Sequence, residues 1–447
     1  MSVRIAVIGG GSSMFVPGLI RRLLEIPCYH GAELRLMDID ERRAVVMQEL
    51  GTQLAASEGC ELNISATTDQ REALRGADFV IVAVSVGGMA AWENDIEVPA
   101  SRGVFMHIAD SVGPGGIFRA LRNTPVVASV VRDVGELAPE AIVFNYTNPA
   151  SANAIAMART SPVRAVSLCS CSPLPFMRSW LAELAGVDEE QIVVPMRAGG
   201  INHCTGIMSL RLRDGRDAMP LVLARSEDQV VRWAIETFGV LPYCWGHWLE
   251  FFPQLQRLEQ PYQGRAQGLA VRYGRHMYDM NAQRERIASW ERVASEWAAQ
   301  GGPHKLADLP HGPEDEGIVV AEVMASVIED RRELFVVNTM NDGLIPNLPA
   351  SVAVEVPAVV DAEGVHPVGI GELPPGLAAV LSRHALVEEL TAEAALTGSR
   401  DLLRQAMAAD PLLDATLEPE QIEALTAEML AVNAEHLPQF STASVSR

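Results

Sequence analysis

Four polar residues have the types and settings that could do chemistry. Cys169 ends the apolar segment Arg164-Ala165-Val166-Ser167-Leu168, and His203 closes the glycine-rich run Ala198-Gly199-Gly200-Ile201-Asn202-His203. A thiolate and an imidazole together suit a borderline divalent metal. Two donors so far apart form no metal motif by themselves, and a buried thiol with a hydrogen-bonded core histidine explains them as well. Asp110 stands before Gly113-Pro114-Gly115-Gly116, where an aspartate also suits an Asx turn. Asn148 precedes Pro149 just after the apolar run Ala141-Ile142-Val143-Phe144, where an asparagine can also cap a strand end.

The elements that must position these groups read as a doubly wound α/β sheet. Ile5-Ala6-Val7-Ile8 is a short apolar run, as in a buried parallel strand. Gly9-Gly10-Gly11 then turns the chain, and Ser12 and Ser13 open a helix predicted over Phe15 to Leu24. Gly9 and Gly11 permit close approach of a phosphate, and a helix N-terminus offers it unpaired N–H groups. Met14 stands where a full dinucleotide fingerprint has its third glycine, so an ordinary tight turn fits the same residues. The next strand, Glu33 to Met37, ends in Asp38. An acid there accepts hydrogen bonds from ribose hydroxyls and favours NAD over its phosphorylated form. The gap from Gly9 to Asp38 exceeds the usual ~20 residues and leaves a loop around Cys28 to Ala32.

The alternation continues to Cys169. Strands are predicted at Asn63 to Ala66, Asp78 to Val84, Ala141 to Phe144 and Arg164 to Leu168, with helices at Glu41 to Ser57, Asp69 to Leu74 and Ile117 to Arg132. Ser85-Val86-Gly87-Gly88 is a second glycine-rich loop at a strand's carboxyl end, where open α/β sheets bind ligands. Beyond Cys169 the pattern changes to a helix at Phe176 to Ala185 and strands at Ile192 to Met196 and Gly206 to Leu212. Helices follow from Leu221 to Val327, then strands at Leu334 to Asn338 and Val352 to Val356, then helices to about Leu437. The predicted fold is α/β: an N-terminal Rossmann-like, doubly wound parallel sheet over residues 1–168. A mixed α+β, helix-rich domain over 169–440 would bind metal and substrate and form oligomers, and 441–447 reads as a disordered tail.

Composition bounds the partners. The 447 residues are 48% hydrophobic and 21% charged, which is a soluble globular balance. A net charge of −22 argues against nucleic acid and anionic membranes, whose phosphates recruit basic surfaces. No apolar run reaches the ~18 residues of a membrane span. A strand at the very start, no signal peptide and six scattered cysteines predict a reducing cytoplasm.

The chain resembles glycoside hydrolase family 4, the NAD- and manganese-dependent glycosidases, over almost its whole length. The likeness rests on GGGSSMF (9–15), ADFVIVAVSVGG (77–88), IADSVGPGGIFRALR (108–122), NYTNP (145–149), LCS (168–170), AGGINH (198–203), NDGLIPNLP (341–349) and VEVPAVVD (354–361). This family is an exception to two-carboxylate glycoside hydrolysis. The resemblance implies hydride removal from C3 of the sugar by NAD and loss of the C2 proton. Departure of the C1 substituent, water addition and return of the hydride complete the cycle. It implies that Cys169 and His203 hold Mn²⁺ or another divalent metal, that Asn148 holds sugar, and that Asp110 raises the basicity of the general base. Asn148 and Ser85 also lie on the expected cofactor side.

The sequence departs from the family in three places. Ser170 follows the metal cysteine where some members carry an aspartate or histidine, and an alcohol is a poor general acid near pH 7. The base falls within Leu241 to Glu250, with Tyr243 and His247 as candidates. Ser85 and Trp92 stand where phospho-sugar members carry arginine, the natural bidentate partner of phosphate. The expected substrate is therefore a non-phosphorylated hexoside, either an α-galactoside or α-glucoside or one anionic at C6, such as a uronate or sulfoquinovose. Arg119, Arg197 and Arg265 are candidates for a C6 anion, and Trp92, Trp245 and Trp248 for a stacking wall. A homodimer or homotetramer is expected, with the apolar stretch Cys244 to Phe252 available to an interface. The rival readings are a net dehydrogenase of the malate/lactate type and a non-catalytic protein that binds sugar or NAD.

Overall fold

Ile5, Ala6, Val7 and Ile8 are all buried, and helices pack on both faces of the strand they form. A computed structural model of the protein describes residues 2–170, 177–272, 275–300, 305–308 and 317–441. Six parallel strands run in the order Asn63–Thr67, Glu33–Met37, Arg4–Ile8, Phe79–Val82, Ile142–Asn145 and Arg164–Ser167. In chain order this is 3-2-1-4-5-6, the doubly wound arrangement, with its switch point between Arg4–Ile8 and Phe79–Val82. The glycine turn, Asp38, Ser85, Asn148 and Cys169 all follow the carboxyl ends of these strands.

The sheet does not stop at Arg164–Ser167. Strand Glu333–Met340 joins it antiparallel, with Asn338 opposite Ser167. Ala353–Asp361 pairs with Glu333–Met340 over eight registered positions, from Glu333 opposite Val360 to Met340 opposite Ala353. Ala198–Ile201, Cys204–Ile207 and Leu241–Pro242 complete that side, and Gly364–Pro367 pairs with Ala353–Asp361. Helices dominate the remaining C-terminal chain, notably Ile318–Glu329, Pro375–Thr397, Arg400–Ala409 and Pro419–Val432.

Three expected elements differ. The strand read over Ile192 to Met196 covers only Ile192–Val193. The run Ala198 to His203, read as a loop, is a strand followed by a turn at Asn202 and His203. The expected strand Gly206 to Leu212 instead begins at Cys204 and ends at Ile207, followed by the short strand Arg211–Leu212. Cys244 to Phe252 is also no free apolar face. Trp248, Leu249, Phe251 and Phe252 are buried, and Trp248 packs with Trp233, Phe238 and Phe252. The expected tail lies outside the described residues beyond Ser441, as does the first residue of the helix predicted from Phe176.

Candidate active site

The site is built on a short, irregular segment, Ile108 to Ser111, ahead of the helix Gly113–Leu137. Gly116 allows this segment to fold back onto the helix start, because a Cβ there would sit 2.3 Å from the carbonyl carbon of Ser111. Ala109 holds φ +62°, an uncommon conformation for a residue with a side chain. One carboxylate oxygen fixes it. Glu250 Oε1 accepts the backbone N–H of Ile108 at 2.7 Å and of Ala109 at 2.8 Å. Trp92 Nε1 donates to the Ile108 carbonyl at 2.8 Å, and Gln256 Oε1 accepts the His107 N–H at 3.2 Å. Burial pushes the Glu250 carboxyl up to about 7, opposed by His247.

The segment aims Asp110 at three partners. Asp110 Oδ2 accepts Asn148 Nδ2 at 2.9 Å, and Oδ1 accepts Ser111 Oγ at 2.8 Å. His247 Nδ1 lies 3.3 Å from Oδ1. Burial would raise the Asp110 carboxyl, but His247, His203 and Arg119 hold it well below the usual carboxylate range. Burial likewise would lower His247, yet Asp110 and Glu250 outweigh it and raise the imidazole to about 9. The arrangement is an imidazole whose protonated form is stabilised by a buried carboxylate.

His203 is presented by the hairpin turn with φ +68°. Its Nδ1 lies 2.6 Å from Ser111 Oγ, and its ring stacks on His247 at 3.7 Å between centroids. Ser111 has one proton, which it gives to Asp110. His203 Nδ1–H therefore donates to Ser111, and Nε2 keeps the lone pair. A hydrogen-bonded ring nitrogen that fixes the other nitrogen as donor is the usual support of a metal-ligating histidine. The ligand atoms of Cys169, His203 and Cys244 lie within 4.8 Å of one another, and so do those of Asp110, His203 and His247.

The cofactor side is equally specific. Gly9 has φ +95°, and a Cβ on it would meet the Ala83 carbonyl oxygen at 2.1 Å. Asp38 is fixed beside the turn, its Oδ2 accepting Gly11 N–H at 2.9 Å and its Oδ1 accepting Asp40 N–H at 3.0 Å. Ser12 Oγ accepts the Phe15 N–H, Ser13 is buried, and the helix begins at Val16 with Pro17 in its first turn. The Asn145 to Pro149 turn is braced by its own side chains: Asn145 Nδ2 donates to Thr147 O and Ser167 Oγ, and Asn123 Nδ2 donates to Asn148 O.

A sequence profile described as "Family 4 glycosyl hydrolase" matches residues 4–178, and one described as "Family 4 glycosyl hydrolase C-terminal domain" matches residues 198–413. An alpha-glucosidase of Erwinia rhapontici is 30% identical over 440 residues, covering 92% of this chain and 94% of that one. The chain belongs to glycosyl hydrolase family 4. An alpha-galactosidase of Rhizobium meliloti (strain 1021) is 29% identical and covers 99% of this chain and 90% of that one. The fold matches a 6-phospho-alpha-glucosidase from gut microorganisms, crystallised with NAD and Mn²⁺, at TM-score 0.81 and 21% identity, covering 99% and 100% of the two chains. The family 4 chain is thus a glycoside hydrolase with a Rossmann-like parallel sheet, and no helix among its described residues is long and apolar enough to cross a membrane.

Within this family 4 chain the remaining candidate residues divide. Tyr243 does not join Asp110. Its hydroxyl donates to Glu355 Oε1 at 2.9 Å, on a carboxylate that also accepts Asn202, Asn338 and Thr205. Arg119 Cζ lies 4.9 Å from the centroid of Trp92, and Trp92 stacks on Tyr278. Arg119 Nε and Nη1 are buried without a hydrogen-bond partner among the described residues. Arg197 and Arg265 are exposed, the latter bonded to Gln267. Trp248 lies in the aromatic core rather than on a sugar-facing wall, and the side chain of Trp245 is outside the described residues. Ser85 is exposed in its loop. Ser111, Glu250, Glu355 and Cys244 are neighbours of the candidate residues that sequence reasoning passed over. The i, i+3 spacing of His247 and Glu250 was the signal for the first carboxylate.

Proposed function

We propose that the chain is an NAD- and divalent-metal-dependent glycosidase acting on a hexoside without a 6-phosphate. The observation that carries this reading is the meeting of Asp110, Asn148, His203 and His247 beside Cys169, at the strand ends that also carry the glycine turn. The open approach over Gly9 and the poised carboxylate of Asp38 fit NAD, and the donors of Cys169 and His203 fit a borderline metal. When bound, NAD supplies reversible hydride removal and the metal supplies Lewis acidity at neighbouring sugar oxygens.

The chain's own residues do the rest. Asn148 gives Nδ2 to Asp110 and keeps Oδ1 for a sugar hydroxyl. His247 is the better-placed candidate for the base, because it pairs with Asp110 while Tyr243 already donates to Glu355; raised to about 9, it holds a proton near pH 7 and acts as a base only after giving that proton up. Ser170 cannot readily protonate a leaving group, which leaves that step to water or to the imidazolium. Arg119 Nε and Nη1, buried without a hydrogen-bond partner among the described residues, favour an anionic C6 substituent, a carboxylate or a sulfonate.

The test is a panel of aryl α-glucoside, α-galactoside, α-galacturonide and α-sulfoquinovoside. Each is incubated with NAD, Mn²⁺ and a thiol reductant in deuterated water. Turnover with deuterium at C2 of the product and no steady NADH is expected. Product without deuterium at C2 overturns the elimination mechanism. Steady NADH accumulation points to the malate/lactate type of dehydrogenase, and binding without turnover points to the non-catalytic reading.

A further inference from the structure

We infer that Cys244 is a third protein ligand of the metal site, giving a donor set of two thiolates and one imidazole that ranks Zn²⁺ and Co²⁺ above Mn²⁺. This rests on the metal site proposed above. Cys169 follows a parallel strand, His203 is a hairpin turn residue, and Cys244 caps the short helix Trp245–Trp248. Three separate pieces of the chain thus bring their donor atoms within 4.8 Å of one another. Metal–sulfur bonds of ~2.3 Å in a tetrahedral site set the two sulfurs ~3.8 Å apart, inside that limit.

The setting favours ligation. All three side chains are buried, and both cysteines are thiols. Ser111 fixes His203 with its lone pair on Nε2. Three protein ligands leave the fourth position of a tetrahedral metal open, and expansion to five-coordination would admit two neighbouring sugar oxygens. Thiolates select softer ions, whereas Mn²⁺ prefers oxygen.

The test uses full-length protein stripped of metal, kept reduced and titrated with Co²⁺. Wild type should show a near-ultraviolet thiolate-to-Co²⁺ charge-transfer band. Cys169→Ser and Cys244→Ser should each lose about half of it, and Cys244→Ser should weaken Co²⁺ binding by at least about 10-fold. In competition, Cys244→Ser should narrow the preference for Zn²⁺ over Mn²⁺. X-ray absorption of the Co²⁺-loaded wild type, which needs no variant, should count two sulfurs at ~2.3 Å. One sulfur, or a Cys244→Ser protein with the full band and affinity, overturns the third ligand and leaves the metal site standing. A wild type with no thiolate band overturns the metal site itself.

Discussion

Glu250→Ala is the substitution that tests how the site is held. Glu250 is 1% exposed and accepts two backbone N–H groups, of Ile108 and Ala109, on one oxygen. Truncation leaves both N–H groups buried with no acceptor. Each such group costs about 1–3 kcal/mol, so a loss of about 2–6 kcal/mol of folding stability is expected unless water enters. Ala109 is already at positive φ, so the released segment should relax and carry Asp110 away from Asn148 and His247. Misplacement by about 1 Å can cost about 100-fold, and kcat/KM should fall by at least that factor. Glu250→Gln keeps the accepting oxygen and exchanges a charged acceptor for a neutral one. It should lose only about 1–2 kcal/mol and most often retain the segment. Urea unfolding and steady-state kinetics on the best substrate of the panel measure both. Were Glu250→Ala within about 0.5 kcal/mol of the parent and within about threefold in kcat/KM, the clamp would have no role.

Two further outcomes follow from the same physics. Glu388 is buried, with Oε2 unpartnered among the described residues, and burial raises its carboxyl from 4.5 to about 8. A raised folded value means that the unfolded chain loses its proton first. The stability that Glu388 contributes should therefore be fully present below pH 4.5 and be lost as pH rises towards about 8, by a few kcal/mol at most, and Glu388→Gln should flatten that slope in pH-dependent unfolding. Asp38→Ala removes the acceptor of Gly11 N–H and the proposed ribose partner. Affinity for the dinucleotide should fall by about 10- to 100-fold, with a smaller loss for the phosphorylated form, read by fluorescence titration with NADH and NADPH.

The parallel half of the sheet was legible because its strands are buried on both faces and read as continuous apolar runs. Val80, Ile81, Val82, Val143 and Phe144 are all fully buried. The glycine turn and Asp38 were legible from their place after such runs. Strand Ala198–Ile201 was not, because glycine is depleted in strands. Here the close approach of the paired strand calls for it: a Cβ on Gly200 would lie 2.2 Å from the Cys204 carbonyl oxygen. Glu355 was hidden inside the apolar run from Val354 to Asp361, where only the fold reveals the four donors around it. Cys244 was passed over for a related reason. Its closeness to Cys169 and His203 arises only in the folded chain, and no spacing in the sequence records it.

The antiparallel strands dock directly onto Arg164–Ser167, through Asn338 opposite Ser167. The nucleotide-facing half and the half that carries His203 are therefore one continuous ladder. A clamshell motion between them would have to tear backbone hydrogen bonds. The sheet itself thus ties the side that carries the glycine turn to the side that carries His203, like two jaws cast in one piece.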